Sequence, residues 1–178
     1  AWWLAGGRGS SSLPVSTMNT IRLGLIGLGN IGRHHAAYLL DRKVPRCELV
    51  AACATSPEKL APLDGKGVRP WTDAGALIRS GTLDAVLIAT PHYSHASLGI
   101  AAMEAGLHVM VEKPISAHKA DAERLLDCAA AHPGQVLAGM FQLRVEPRYE
   151  RIRRILQSGE LGRVVRVNWI NTDWFRTE

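Results

Sequence analysis

The stretch Ile21-Arg22-Leu23-Gly24-Leu25-Ile26-Gly27-Leu28-Gly29-Asn30-Ile31-Gly32 is a short apolar run that breaks into three glycines and restarts as a helix. Apolar residues at 21, 23, 25 and 26 suit a buried parallel strand, and Ile31, Tyr38 and Leu39 then recur at helical spacing. The spacing Gly27-x-Gly29-x-x-Gly32 is the one a dinucleotide needs. The first glycine allows the turn, the second lets a pyrophosphate approach the backbone, and the third lets helix and strand pack closely. Backbone N–H groups of Asn30 and Ile31 would then face the phosphates from a helix N-terminus, where the macrodipole favours an anion by roughly 0.3–1 kcal/mol.

Working outward, strands and helices alternate. Residues 48–53 read as a second strand, followed by a helix from Pro57. A short strand near 68–71 leads to a helix capped by Asp73 and ending at Gly81. Residues 85–89 are apolar on both faces, as in a central parallel strand. A helix over 94–105, a strand over 107–111, a helix with Ala122, Leu125, Leu126 and Ala129 on one face, and a strand over 136–140 complete the series. The class is α/β, a doubly wound parallel sheet over residues 18–141. Beyond Phe141, Pro147 starts a helix with Tyr149, Ile152, Ile155 and Leu156 on one face and Gly159 as its stop, and residues 164–170 read as a strand. Residues 142–178 are therefore the expected beginning of a second, incomplete α+β domain.

Bulk properties narrow the function. A chain of 178 residues buries roughly 70% of its unfolded surface, enough for one full core. With 47% apolar and 21% charged residues the composition is that of a soluble globular protein, and no apolar run reaches the roughly 20 residues of a membrane span. The net charge of +5 includes the arginines between Arg144 and Arg166, which alternate with Glu146, Glu150 and Glu160 and lack an aromatic platform. That is a solvated face and not a nucleic-acid surface. Cys47, Cys53 and Cys128 form no CxxC pair and suit core thiols in a reducing, cytoplasmic setting. Residues 1–17 are Gly/Ser-rich and lack the basic start and apolar core of a signal peptide, so they read as a disordered extension before Met18.

Ligands of such sheets lie at the carboxyl ends of the strands. The second strand ends at Ala54, Thr55 and Ser56, where an acid would hold a ribose hydroxyl. Its absence, with two hydroxyls in its place, tilts the reading from NAD towards NADP; the same residues also suit a plain helix cap. The fourth strand ends in Thr90-Pro91-His92-Tyr93-Ser94-His95, with Thr90 near the path of the cofactor. Two histidines without a third ligand make no metal site. The fifth ends in Val111-Glu112-Lys113-Pro114, a charged pair that packing alone explains poorly. Lys113 suits contact with a substrate hydroxyl or carbonyl oxygen, and Glu112 the nicotinamide ribose.

Taken together, GLGNIG (27–32), ATPHYSH (89–95), VMVEKP (109–114) and GMFQLRVEPRY (139–149) followed by GELG (159–162) resemble the oxidoreductase family named for glucose-fructose oxidoreductase and inositol dehydrogenase, Gfo/Idh/MocA. The resemblance implies a Rossmann domain followed by an α/β domain used for substrate binding and homo-oligomerisation. By position, it implies that Gly27, Gly29 and Gly32 bind pyrophosphate, that Thr90, Pro91 and His95 line the cofactor groove, and that Glu112 faces the nicotinamide ribose. It makes Lys113 the catalytic lysine, preceding a cis Lys113-Pro114 bond, and gives Arg144 a place at the substrate pocket. It places a further Asp and His beyond Glu178, so the chain reads as part of a longer enzyme and a poor catalyst alone. The implied activity is hydride transfer between NAD or NADP and a secondary alcohol or carbonyl of a sugar, polyol or dihydrodiol. Two alternatives stay open: a non-catalytic NAD(P)-binding fragment or sensor, and an NAD-dependent glycosidase of the same family.

Overall fold

The structure is a computed structural model that describes residues 19–170; the extension expected over 1–17 lies outside them. The described residues form two units, one ending at Met140 and the other beginning at Phe141.

The first unit carries β1 (Ile21–Ile26), α1 (Asn30–Leu40), β2 (Cys47–Cys53), β3 (Arg69–Trp71), α2 (Ala74–Ile78), β4 (Ala85–Ile88), α3 (His95–Glu104), β5 (His108–Val111), α4 (Lys119–Ala131) and β6 (Leu137–Gly139). All six strands pair in parallel in the order β3-β2-β1-β4-β5-β6, the doubly wound arrangement, with its reversal between β1 and β4. Alternate strand residues feed two cores. Val86, Ile88, Val109 and Val111 pack with Leu77, Ile78, Ala102, Met103 and Leu125 of α2, α3 and α4. Leu23, Leu25, Leu87 and Ala89 pack with Ala36 and Leu39 of α1.

One detail of this unit differs from the sequence reading, the helix expected from Pro57, and two others lie beyond it. Helix α1 turns Gly32, Ala36 and Leu39 inward, while Ile31 and Tyr38 are 44% and 45% exposed. The close approach selects the small residues: a Cβ on Gly32 would strike the Gly27 carbonyl, and Gly27 itself has φ +100° against Ala89. The helix expected from Pro57 is two 3-10 turns, Pro57–Lys59 and Ala61–Leu63, which seat Leu60 and Leu63 in the α1-side core. In β2 the register shifts opposite Leu23 and Gly24, so that Leu49 and Ala52 face one core while Ala51 and Cys53 face the other.

The second unit holds α5 (Pro147–Ser158), closed by Gly159 at φ +75°. Residues 164–170 are not a strand, because among the described residues no neighbour pairs with their backbone groups. Within this segment Trp169 stacks on Tyr149, with ring centroids 5.6 Å apart and planes 17° from parallel.

Candidate dinucleotide-binding site

Parallel register brings five strand ends level, and the ladder continues one residue past each. Gly27 N–H donates to Cys53 O, Ala54 N–H to Trp71 O, Ala89 N–H to Ile26 O, Glu112 N–H to Ile88 O and Met140 N–H to Val111 O, all within 2.8–3.1 Å. The residues singled out in the first unit thus lie on one rim of one sheet.

At the sheet's reversal the rim opens into a cleft of about 570 Å³ whose wall includes Gly27, Gly29, Ala54, Thr55, Thr90 and Pro91. Helix α1 starts there with Gly29 at its N-cap and no side chain capping it, so the first-turn N–H groups of Asn30, Ile31 and Gly32 lack a side-chain acceptor. The Asn30 carboxamide oxygen instead accepts from Arg33, 2.6 Å away. A Cβ added to Gly29 would meet nothing within 4 Å. Open space before uncapped amides at a helix N-terminus fits a pyrophosphate.

The Thr90 hydroxyl lies 2.8 Å from that of Ser94, whose single hydrogen also faces the Pro91 carbonyl at 2.9 Å. On the side of β2, Thr55 is joined on the wall by Lys59 and Thr72, which the sequence reading did not single out. Ser56 does not line the cleft. Its hydroxyl, after the backbone N–H of Glu58, holds the Glu58 carboxyl below the usual carboxylate range, so Ser56 serves the local turn. Cys53 also borders the cleft, but burial, and then Asp73, push its thiol up to about 11, so it adds bulk without charge at neutral pH.

His95 stands apart from the wall. It is fully buried, with Nδ1 2.8 Å from the Pro114 carbonyl and Nε2 2.8 Å from the Thr90 carbonyl. His95 thus sits between the tips of β4 and β5 and not on the cleft wall. Glu112 is likewise drawn inward, only 6% exposed. Val111 faces the core under α3, so the next side chain turns towards α1, and there Glu112 Oε1 accepts from His35 Nε2 at 2.6 Å. Its other oxygen accepts the Lys113 N–H at 3.0 Å. His35 also escaped the sequence reading, since nothing in its helical position announces a partner 77 residues away.

Lys113 itself is exposed and joins none of the ion pairs formed among the described residues, and the Lys113-Pro114 bond is cis. In the second unit the Arg144 guanidinium lies over the Phe141 ring, 5.6 Å from its centroid. Among the described residues no group of three or more His, Cys, Asp or Glu is placed to hold a metal ion, and no helix is long and apolar enough to cross a membrane.

Residues 21–140 match a family model described as an oxidoreductase family with an NAD-binding Rossmann fold. Inositol 2-dehydrogenase 4 of Saccharopolyspora erythraea is 32% identical over 145 residues, covering 80% of this chain and 43% of that protein. Among solved structures, scyllo-inositol dehydrogenase from Lactobacillus casei, with bound NAD(H) and scyllo-inositol, superimposes with a TM-score of 0.77 at 28% identity, covering 81% of this chain and 43% of that one. Biliverdin reductase from Synechocystis, in complex with biliverdin and NADP+, superimposes with a TM-score of 0.67 at 30% identity, covering 78% and 43%. The chain thus spans less than half the length of these relatives.

Proposed function

Because the chain belongs to the Gfo/Idh/MocA oxidoreductase family, we propose that it binds a nicotinamide dinucleotide across the cleft and takes part in hydride transfer to or from a secondary alcohol or carbonyl carbon of a sugar or polyol. The observation that carries this reading is the shared rim: an uncapped helix N-terminus facing open space after β1, and an exposed lysine after β5, two strands away, in no ion pair among the described residues. The cofactor supplies the hydride chemistry. The amides of Asn30, Ile31 and Gly32 hold the pyrophosphate. Thr90 donates its hydroxyl hydrogen towards the cofactor, and Pro91 shapes the wall beside it. Lys113 reaches the substrate oxygen and helps to manage its proton. Arg144 frames the substrate, and assembly is homo-oligomeric, both on family grounds.

The missing carboxylate after β2, with Thr55 and Lys59 on the wall, supports NADP over NAD, because a 2′-phosphate there meets a cation and a hydroxyl and no like charge. Fluorescence titration with NADPH and NADH, followed by a dehydrogenase screen on sugars, inositols and other polyols, tests the proposal. In a chain that turns over, Lys113→Met is expected to abolish activity while cofactor affinity stays within about two-fold. Retained turnover removes the lysine from the chemistry, and absence of binding to either nucleotide removes the function altogether.

A further inference from the structure

Two histidines grip the segment Glu112-Lys113-Pro114 from opposite layers of the fold. His95 opens α3, whose Ala96, Ala102 and Met103 pack in one core, and it holds the Pro114 carbonyl at 2.8 Å. His35 belongs to α1, whose Ala36 and Leu39 pack in the other core, and it holds the Glu112 carboxyl at 2.6 Å. The Glu112 carboxyl in turn accepts the backbone N–H of Lys113. Both Glu112 oxygens are therefore committed inside the protein, and the side chain is almost wholly buried.

We propose that His35 is a positioning residue: acting through Glu112, it fixes the backbone of Lys113 and so aims the lysine side chain along the rim. The inference rests on the reading of Lys113 as the group that meets the substrate oxygen. An exposed lysine has four side-chain torsions, and a rigid Cα is what limits the volume its ammonium sweeps. Without the imidazole, the Glu112 carboxyl loses one of its two partners and is free to leave Lys113 N–H. Misplacement of a reacting group by about 1 Å can lower a rate on the order of 100-fold while leaving distant binding contacts intact. The pyrophosphate amides at the start of α1 do not depend on the His35 side chain, so cofactor affinity and turnover are expected to separate.

The test uses His35→Leu, which removes the donor, and His35→Gln, whose side-chain amide reproduces the reach of Nε2. In amide NMR of this chain, the Lys113 N–H resonance is expected to shift in the Leu variant and to stay near its original position in the Gln variant. In turnover, the Leu variant is expected to lose roughly 10- to 100-fold in kcat with cofactor KM within about two-fold, and the Gln variant to recover most of it. An unmoved Lys113 amide, an unchanged kcat, or a Gln variant as impaired as the Leu variant overturns the proposal. Should the Leu variant not fold, the pair His35→Asn, whose amide is too short to reach Glu112, and Glu112→Gln decides: their combined cost in kcat should fall short of the sum of the single costs, and additive costs overturn the coupling. Lys113→Met is the control. If it keeps turning over, the reading of Lys113 fails; if it is inactive while His35→Leu is normal, only the role of His35 fails.

Discussion

Lys59 is the cation on the cleft wall, two residues beyond Pro57 on a short 3-10 turn that also presents Thr55 nearby. A charge-assisted hydrogen bond to a phosphate contributes on the order of 1.5–3 kcal/mol, which is about tenfold or more in affinity. Lys59→Ala is accordingly expected to weaken NADPH at least about tenfold and to leave NADH within about two-fold, measured by nucleotide fluorescence. Equal losses for both nucleotides would take Lys59 off the 2′-phosphate. The contrast between Lys59 and Ser56 has a local cause. Ser56 stands at the start of the tight turn, where its hydroxyl serves the Glu58 carboxyl, and only Thr55 lines the cleft.

At the scale of elements, the α1–β1 approach is the most demanding piece of packing. Gly32→Ala places a methyl against the Gly27 backbone carbonyl, so one of the two backbones must move. A loss of about 1–3 kcal/mol is expected in chemical denaturation, together with weakened dinucleotide binding, because the helix that supplies the amides must shift. At the other end of β1, Arg22 ties this strand to the start of β4: its guanidinium meets Asp84 Oδ1 at 2.7 Å, its N–H meets Oδ2 at 2.8 Å, and Asp84 N–H returns to the Arg22 carbonyl at 2.9 Å. The Arg22 side chain, and then its backbone N–H, hold the Asp84 carboxyl below its ordinary value. A carboxyl whose pKa is lower folded than unfolded stabilises above the unfolded value of about 3.9 and loses that contribution as pH falls through the folded value. The stability gap between this protein and Asp84→Asn, read from urea midpoints, is expected to be constant from about pH 6 to 8 and to close below about pH 4. Its size should be roughly 0.2–1 kcal/mol, given that both side chains reach solvent.

At the scale of the whole molecule, what could be read from sequence was what repeats. Apolar runs at 21–26, 85–89 and 107–111 suit parallel strands, the glycines suit a tight turn and close approach, and the alternation of strands with helices leads to the parallel sheet. What escaped was what depends on distant partners. Glu112 and His95 stand out at strand ends, but Glu112 meets His35, 77 residues away, and His95 meets the Pro114 carbonyl, 19 residues away. The register shift in β2 swaps the faces of Ala51 and Cys53 with no composition signal to announce it. The apolar pattern at 164–170 suggested a strand, but a strand exists only when another lies beside it, and pattern alone does not supply one.

The reversal of strand order between β1 and β4 means that the cleft is lined from both halves of the first unit, with Gly27, Gly29, Thr55 and Lys59 on one bank and Thr90, Pro91 and Ser94 on the other. During synthesis the nucleotide-binding fingerprint emerges first, yet it has nothing to bind against until β4 and the turn after it have cleared the ribosome. Both banks of the cleft are therefore in hand by residue 98, before β5 and β6 have been made.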